Sequence, residues 1–272
     1  RRQALKSSAC GFGALALSGM LQRTATAEHG TPLQAKLPHF APRAKRVIFL
    51  FMQGGPSQVD SFDYKPLLAA RHGELHAFDD ARSIAKTGER GTSQRVMKSP
   101  WKFRQHGQCG HWVSDLFPET ARHVDKLCML HGMHTEGVAH GPATLFLHCG
   151  ATNFVRPSMG SWITYGLGTE SENLPGFVTI CPSAGNGGTR NYGNSFLPPI
   201  YQGTPIGTAG AAARDAKIRD LVNSQLEFEQ QRRQFDLLRS INEQQLRHNR
   251  GDAELESVIS SYELAWRMQN HA

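Results

Sequence analysis

The sequence is short of the features that would assign it at once. It contains no CxxC pair, so a zinc ribbon is excluded as its organising device. Beyond the N-terminus there is no long run of Lys or Arg, so a nucleic-acid partner is not expected. No stretch approaches the roughly 20 apolar residues that a helix needs to span a bilayer stably. Gly54-Gly55 is not followed by Lys-Ser or Lys-Thr, which excludes a phosphate loop of the Walker type. Aromatic residues are only 8% of the 272, no internal repeat is present, and residues 1–27 hold no acid.

That last absence explains the charge. The formal net charge is +7, but Arg1, Arg2, Lys6 and Arg23 supply four of the seven and leave +3 for the rest. The twin arginine precedes Leu5-Lys6, a weakly apolar stretch to Leu21, and Ala25-Thr26-Ala27, a small-x-small cleavage pattern. This is the layout of a twin-arginine export signal over residues 1–27. It predicts a periplasmic or extracellular protein that meets a membrane only during export. Residues 28–45, with Pro and Ala, read as a linker. Of the five cysteines, Cys10 lies in the signal. Cys109, Cys128, Cys149 and Cys181 are widely spaced; an exported context permits disulfides, yet Cys128 and Cys181 sit in apolar runs that predict buried thiols.

Val47–Met52 is a continuous apolar run, the pattern of a central parallel strand buried on both faces. Residues 71–110 show no period and predict a long loop, with a short hairpin near residues 101–113. Ser114-Asp115 predicts a helix cap, and Lys126–Met133 a second strand. Pro142–Gly150 predicts a helix with Pro in its first turn and Gly at its end. Gly176–Ile180 predicts a third strand. From Ala211 onward, apolar residues recur at helical spacing, and Asn249–Asp252 breaks them into two helices that pair antiparallel. The chain has no initiator Met and stops within a helical pattern, so it reads as a fragment.

Two constellations carry chemistry. Gln53, Ser57, Asp60 and Asp63 follow the first strand, where catalytic groups of open α/β sheets gather, and the carboxylates suit a hard cation such as Ca²⁺ or Mg²⁺. The plainer alternative is a turn with aspartate caps. His131, His134, His140 and His148, with Glu136, crowd the segment after the second strand, and imidazole with carboxylate suits Zn, Mn or Fe. His140 lies at a helix start, which favours a phosphate- or sulfate-like group, and Thr144 is one turn further on. His140, then His134, carry the functional reading; His131 and His148 read as ordinary.

RRQALK, FLFMQGGPSQVDSFDYKP, HGPATLFLHCG, RPSMGSWITYGLG, NLPGFV, FLPPIYQGTP and SYELAWRMQ occur together in this order. This set resembles an uncharacterised family of twin-arginine-exported proteins, a domain of unknown function placed in the alkaline phosphatase/sulfatase-like superfamily. The resemblance implies a three-layer α/β/α sandwich with a mostly parallel sheet, incomplete here. Residues 46–210 would be its N-terminal part and residues 211–272 a helical pair of the same domain. In the superfamily the first strand ends in a metal-binding Asp, a position that falls on Gln53. The sulfatase nucleophile segment aligns with HGPATLFLHCG: Pro142 and Gly150 match, while His140 holds the Cys position and Thr144 the Arg position. The resemblance thus implies His140 and Thr144 as catalytic, with Gln53, Asp60, Asp63, His134 and His140 around a divalent ion (Ca, Mg, Zn or Mn). The ligand would be a sulfated or phosphorylated small molecule or glycan. Because Gln53 is uncharged and His140 cannot form a formylglycine hydrate, an exported non-catalytic scaffold for a glycan, a metal or a protein partner is the alternative.

Replacing Arg1-Arg2 with Lys-Lys should leave uncleaved precursor in the cytoplasm, as read by fractionation and immunoblotting. Unchanged export would refute the signal.

Overall fold

The computed structural model describes residues 32–77, 93–133, 135–137, 139–171, 173–218, 221, 223, 225–248 and 252–270. The expected export signal and His134 lie outside the described residues. The fold is mixed α/β, built from helices and small two-stranded sheets, one of them parallel.

After the short helices α1 (Gln58–Ser61) and α2 (Pro66–Ala70) come β1 (Leu75–Ala77) and β2 (Ser93–Arg95), which pair antiparallel. The hairpin expected near residues 101–113 is present as β3 (Phe103–His106) and β4 (His111–Ser114), with Phe103 opposite Ser114. Its turn is fixed from outside. The Asp125 carboxylate accepts the N–H groups of Gln108 and Cys109 at 3.0 and 2.9 Å. On the inner side Val113 joins Ala121 and Val124 in one apolar cluster, with Phe62, Phe117 and Met129 packed against it. The helix expected from Ser114-Asp115 is not there: Ser114 ends β4, and a short helix α3 (Pro118–Ala121) starts only at the proline. Pro118 disfavours helical geometry at the residue before it, and Phe117 is accordingly non-helical (φ −124°, ψ 57°).

A second cluster gathers Leu33, Leu197, Tyr201 and Leu264. Its elements are α5 (Met159–Leu167), the turn Pro199–Tyr201 and the C-terminal helix α7 (Ala253–Asn270). Residues 32–36, part of the expected linker, are docked rather than loose. Lys36 N–H donates to the Leu167 carbonyl at 2.8 Å, Thr169 N–H to Leu33 at 2.8 Å, and the Tyr201 hydroxyl to Pro32 at 3.0 Å. Nearby, β5 (Val178–Ile180) and β6 (Thr204–Ile206) pair in parallel.

Helix α6 (Phe228–His248) lies antiparallel to α7: Gln231 meets Gln269 at 2.7 Å, and Arg239 meets Glu263 at 3.3 Å. Trp266 packs on Phe228 and Phe235 with ring centroids 5.2 and 5.4 Å away. Asp252 caps α7, its carboxylate accepting the N–H groups of Glu254 and Leu255 at 3.1 Å.

Two expectations fail. Val47–Met52 is not a buried central strand but chain without any ladder, with Ile48 81% and Leu50 87% exposed. Lys126–Met133 is not a strand either: a 3-10 turn takes Val124–Lys126, and residues 127–130 run on without a ladder. The physical reason is shared. A central strand is buried only when neighbours hydrogen-bond to both its edges, and among the described residues no strand pairs with either run. The described strands therefore stand in pairs instead of forming one wide sheet between helix layers.

Gly168 closes α5 at φ +71°, and a Cβ there would run into the backbone of Leu33 and Gln34. Gly168→Ala should destabilise the protein by about 1–3 kcal/mol through left-handed strain and loss of this close approach. Thermal unfolding followed by circular dichroism checks it, and an unchanged midpoint would remove the docked segment from the account.

Candidate functional site

The helix predicted at Pro142–Gly150 is α4, His140–Cys149, closed by Gly150 in the left-handed region at φ +70°. His140 is its first residue and is exposed; Thr144, one turn along, is 5% exposed and belongs to the packed side. A nucleophile at Thr144 would therefore need the helix to move before meeting a substrate. Cys149 is also buried, its thiol donating to the Arg190 carbonyl at 3.1 Å. Burial pushes that thiol up to about 11, so it is no thiolate at neutral pH. His148 is half-buried, with Phe49 and Phe51 edge-on at 5.4 and 4.8 Å. Burial lowers its pKa and keeps the ring neutral, a packing role.

Gln53 is exposed at the Gly-Gly turn, where Gly55 N–H donates to the Met52 carbonyl at 3.1 Å. Asp60 lies half-buried in α1. Among the described residues, then, Gln53, Asp60 and His140 make no shared cluster, and no three His, Cys, Asp or Glu groups are placed to hold a metal ion.

What the fold does bring together is Asp63, Lys65 and His131. The Asp63 carboxylate accepts from Lys65 Nζ at 2.9 Å and faces His131 Nδ1 at 3.4 Å. The hydrogen bond from Lys65 and the nearby imidazole hold the Asp63 carboxyl below its usual range. Aspartate comes from the loop after the first apolar run and histidine from the end of the second, so both constellations contribute one member. His131 read as ordinary because no local signal pairs it with a residue so distant in sequence. Two protein donors fall short of the three that a catalytic zinc site uses.

Cys128 is exposed and Cys181 half-buried, and both are free. The expected burial of Cys128 fails for the same reason as its strand: the run that carries it is unpaired.

A family model matches residues 44–272, which takes in Asp63, Lys65, His131 and the whole of α4. The chain belongs to this family, described as a protein of unknown function (DUF1501). No curated protein and no solved structure matches it. In this DUF1501 chain the Asp63–His131 contact is the one place where a carboxylate and an imidazole from separate segments meet among the described residues that the sequence singled out.

Because the Asp63 pKa is depressed, ionised Asp63 stabilises the fold above the ordinary carboxylate range. That contribution is lost as pH falls through the depressed value. Lys65 is the larger cause. Lys65→Ala should thus raise the Asp63 titration midpoint more than His131→Gln does, as followed by carboxyl-carbon NMR. Equal midpoints in both variants and the parent would dissolve the triad.

Proposed function

We propose that the protein is an exported, sulfatase-like hydrolase of sulfate or phosphate esters. The ordered set of resembling segments supports the scaffold, and the Asp63–His131 contact supports the chemistry. Imidazole held by a carboxylate is a general base near neutral pH: the aspartate favours the tautomer with the proton on Nδ1 and leaves Nε2 to accept one. A water or hydroxyl at Nε2 would give up its proton as it attacks the ester. The 3.4 Å separation is loose for a hydrogen bond, as catalytic contacts often are before substrate arrives. His140, exposed at the start of α4, adds an imidazole beside helix N–H groups that favour an oxyanion. A divalent ion belongs to this reading only if donors outside the described residues join Asp63 and His131.

A non-catalytic scaffold is the second reading. It is favoured by the uncharged Gln53 at the expected acid position and by the burial of Thr144.

The test is turnover of aryl sulfates and aryl phosphates by the full-length protein, with bound metal measured by mass spectrometry. His131→Ala should lower kcat by about 10²–10⁴-fold, the usual contribution of a positioned base. No hydrolysis of either ester by the folded parent would leave the scaffold reading standing.

A further inference from the structure

Basic and aromatic residues interleave in residues 98–104, and folding sets Tyr64 and Lys65 beside them. Tyr64, Lys65, Lys98, Trp101, Lys102 and Arg104, drawn from two separated segments, line one cleft of about 380 Å³. That volume falls within the range of small-ligand sites, roughly 300–1,000 Å³.

Its four cations are not equivalent. Lys65 is engaged by Asp63 at 2.9 Å, and Arg104 faces Asp115 at 3.6 Å. Lys98 and Lys102 have no ion pair among the described residues. Their backbones are nevertheless pinned: Lys98 N–H donates to His72 Nδ1 at 3.2 Å, and the Lys102 carbonyl accepts from Asp115 N–H at 2.9 Å. Between them in the chain Trp101 is 44% exposed, with its backbone N–H donating to Ser99 Oγ at 3.3 Å. Tyr64, also in the lining, is packed against Phe103 and Trp112 with ring centroids 5.0 and 4.6 Å away, which fixes its ring as a wall. The arrangement is one open indole with a lysine on either side of it in the chain, each lysine held at its backbone.

We infer that this cleft binds an acidic saccharide unit, a sugar ring bearing sulfate or carboxylate groups. The C–H face of a pyranose covers an indole while its hydroxyls stay in water across an open mouth. Its oxyanions take charge-assisted hydrogen bonds from Lys98 and Lys102. A bare inorganic anion would leave the aromatic lining unused. A single-stranded nucleic acid is fitted by successive stacking platforms along a basic groove, and here one indole is open. Lys65 joins the cleft to Asp63, so the site adjoins the proposed base, but the binding does not depend on hydrolysis.

The experiment titrates the full-length protein with a sulfated heparin hexasaccharide, using calorimetry and tryptophan fluorescence. Parallel titrations use the desulfated hexasaccharide, inorganic sulfate and a single-stranded DNA hexamer. The sulfated sugar should bind at least about tenfold more tightly than each of the other three. Lys98→Gln with Lys102→Gln, and separately Trp101→Ala, should each weaken it by about tenfold or more. Lys126→Gln, outside the cleft, should not, and circular dichroism confirms that each variant is folded. No binding, unchanged binding in the cleft variants, or equal binding of the DNA overturns the assignment. Ester turnover without saccharide binding sinks the cleft alone; binding without turnover sinks the hydrolase alone.

Discussion

Burial of Leu33 is the constraint on which the C-terminal half depends. Leu33 packs with Leu197, Tyr201 and Leu264, residues from two distant parts of the chain. Full burial of one leucine is worth about 1.5–3 kcal/mol. That gain is secured because the flanking backbone is laddered onto the end of α5, from Lys36 to Leu167 and from Thr169 to Leu33. Lys36 strengthens the seam: its ammonium donates to the Tyr165 carbonyl at 2.6 Å and lies 5.1 Å from the Tyr165 ring centre. Burial lowers its pKa, but the carbonyl and the ring faces compensate the cation in place.

The N-terminal half rests on a different device. Asp125 sits in a turn far from the hairpin in sequence, yet its carboxylate satisfies two N–H groups of the hairpin turn. Gly107 is required there, since a Cβ would press on that carboxylate. The hairpin thereby holds Phe103 and Trp112 against Tyr64 and sets the wall of the basic cleft. Asp63 and Lys65 flank Tyr64 in the chain, so the same packing that orders the cleft orders the candidate base.

The parts of this structure legible in the sequence are those decided within a few residues. Pro142 and Gly150 bracket α4, Asp252 marks the start of α7, and the glycines of residues 107–110 mark the hairpin turn, because caps and turns are local hydrogen-bond and dihedral problems. Val47–Met52 misleads because its burial depends on strands elsewhere, and apolar composition does not encode whether those strands pair. The docked residues 32–36 read as linker because their anchors are backbone groups, which every residue carries. In the candidate site, Asp63 was legible from its place after an apolar run. His131 was not, since its partner is remote; of the basic cleft, residues 98–104 are contiguous in the sequence, and only their meeting with Tyr64 and Lys65 required the fold.

The tryptophans carry one more consequence of this packing. Trp266 is 6% exposed between the aromatic residues of the helix pair, whereas Trp101, Trp112 and Trp162 are 44%, 39% and 45% exposed. Indole emission shifts to the blue in an apolar setting and to the red in water. The chain therefore carries intrinsic probes of two colours: one reports separation of the helices, and the others report solvent at the cleft, at the hairpin and at α5. Loss of the blue component before any change in the red would show that the helical pair opens as a unit of its own, ahead of the rest.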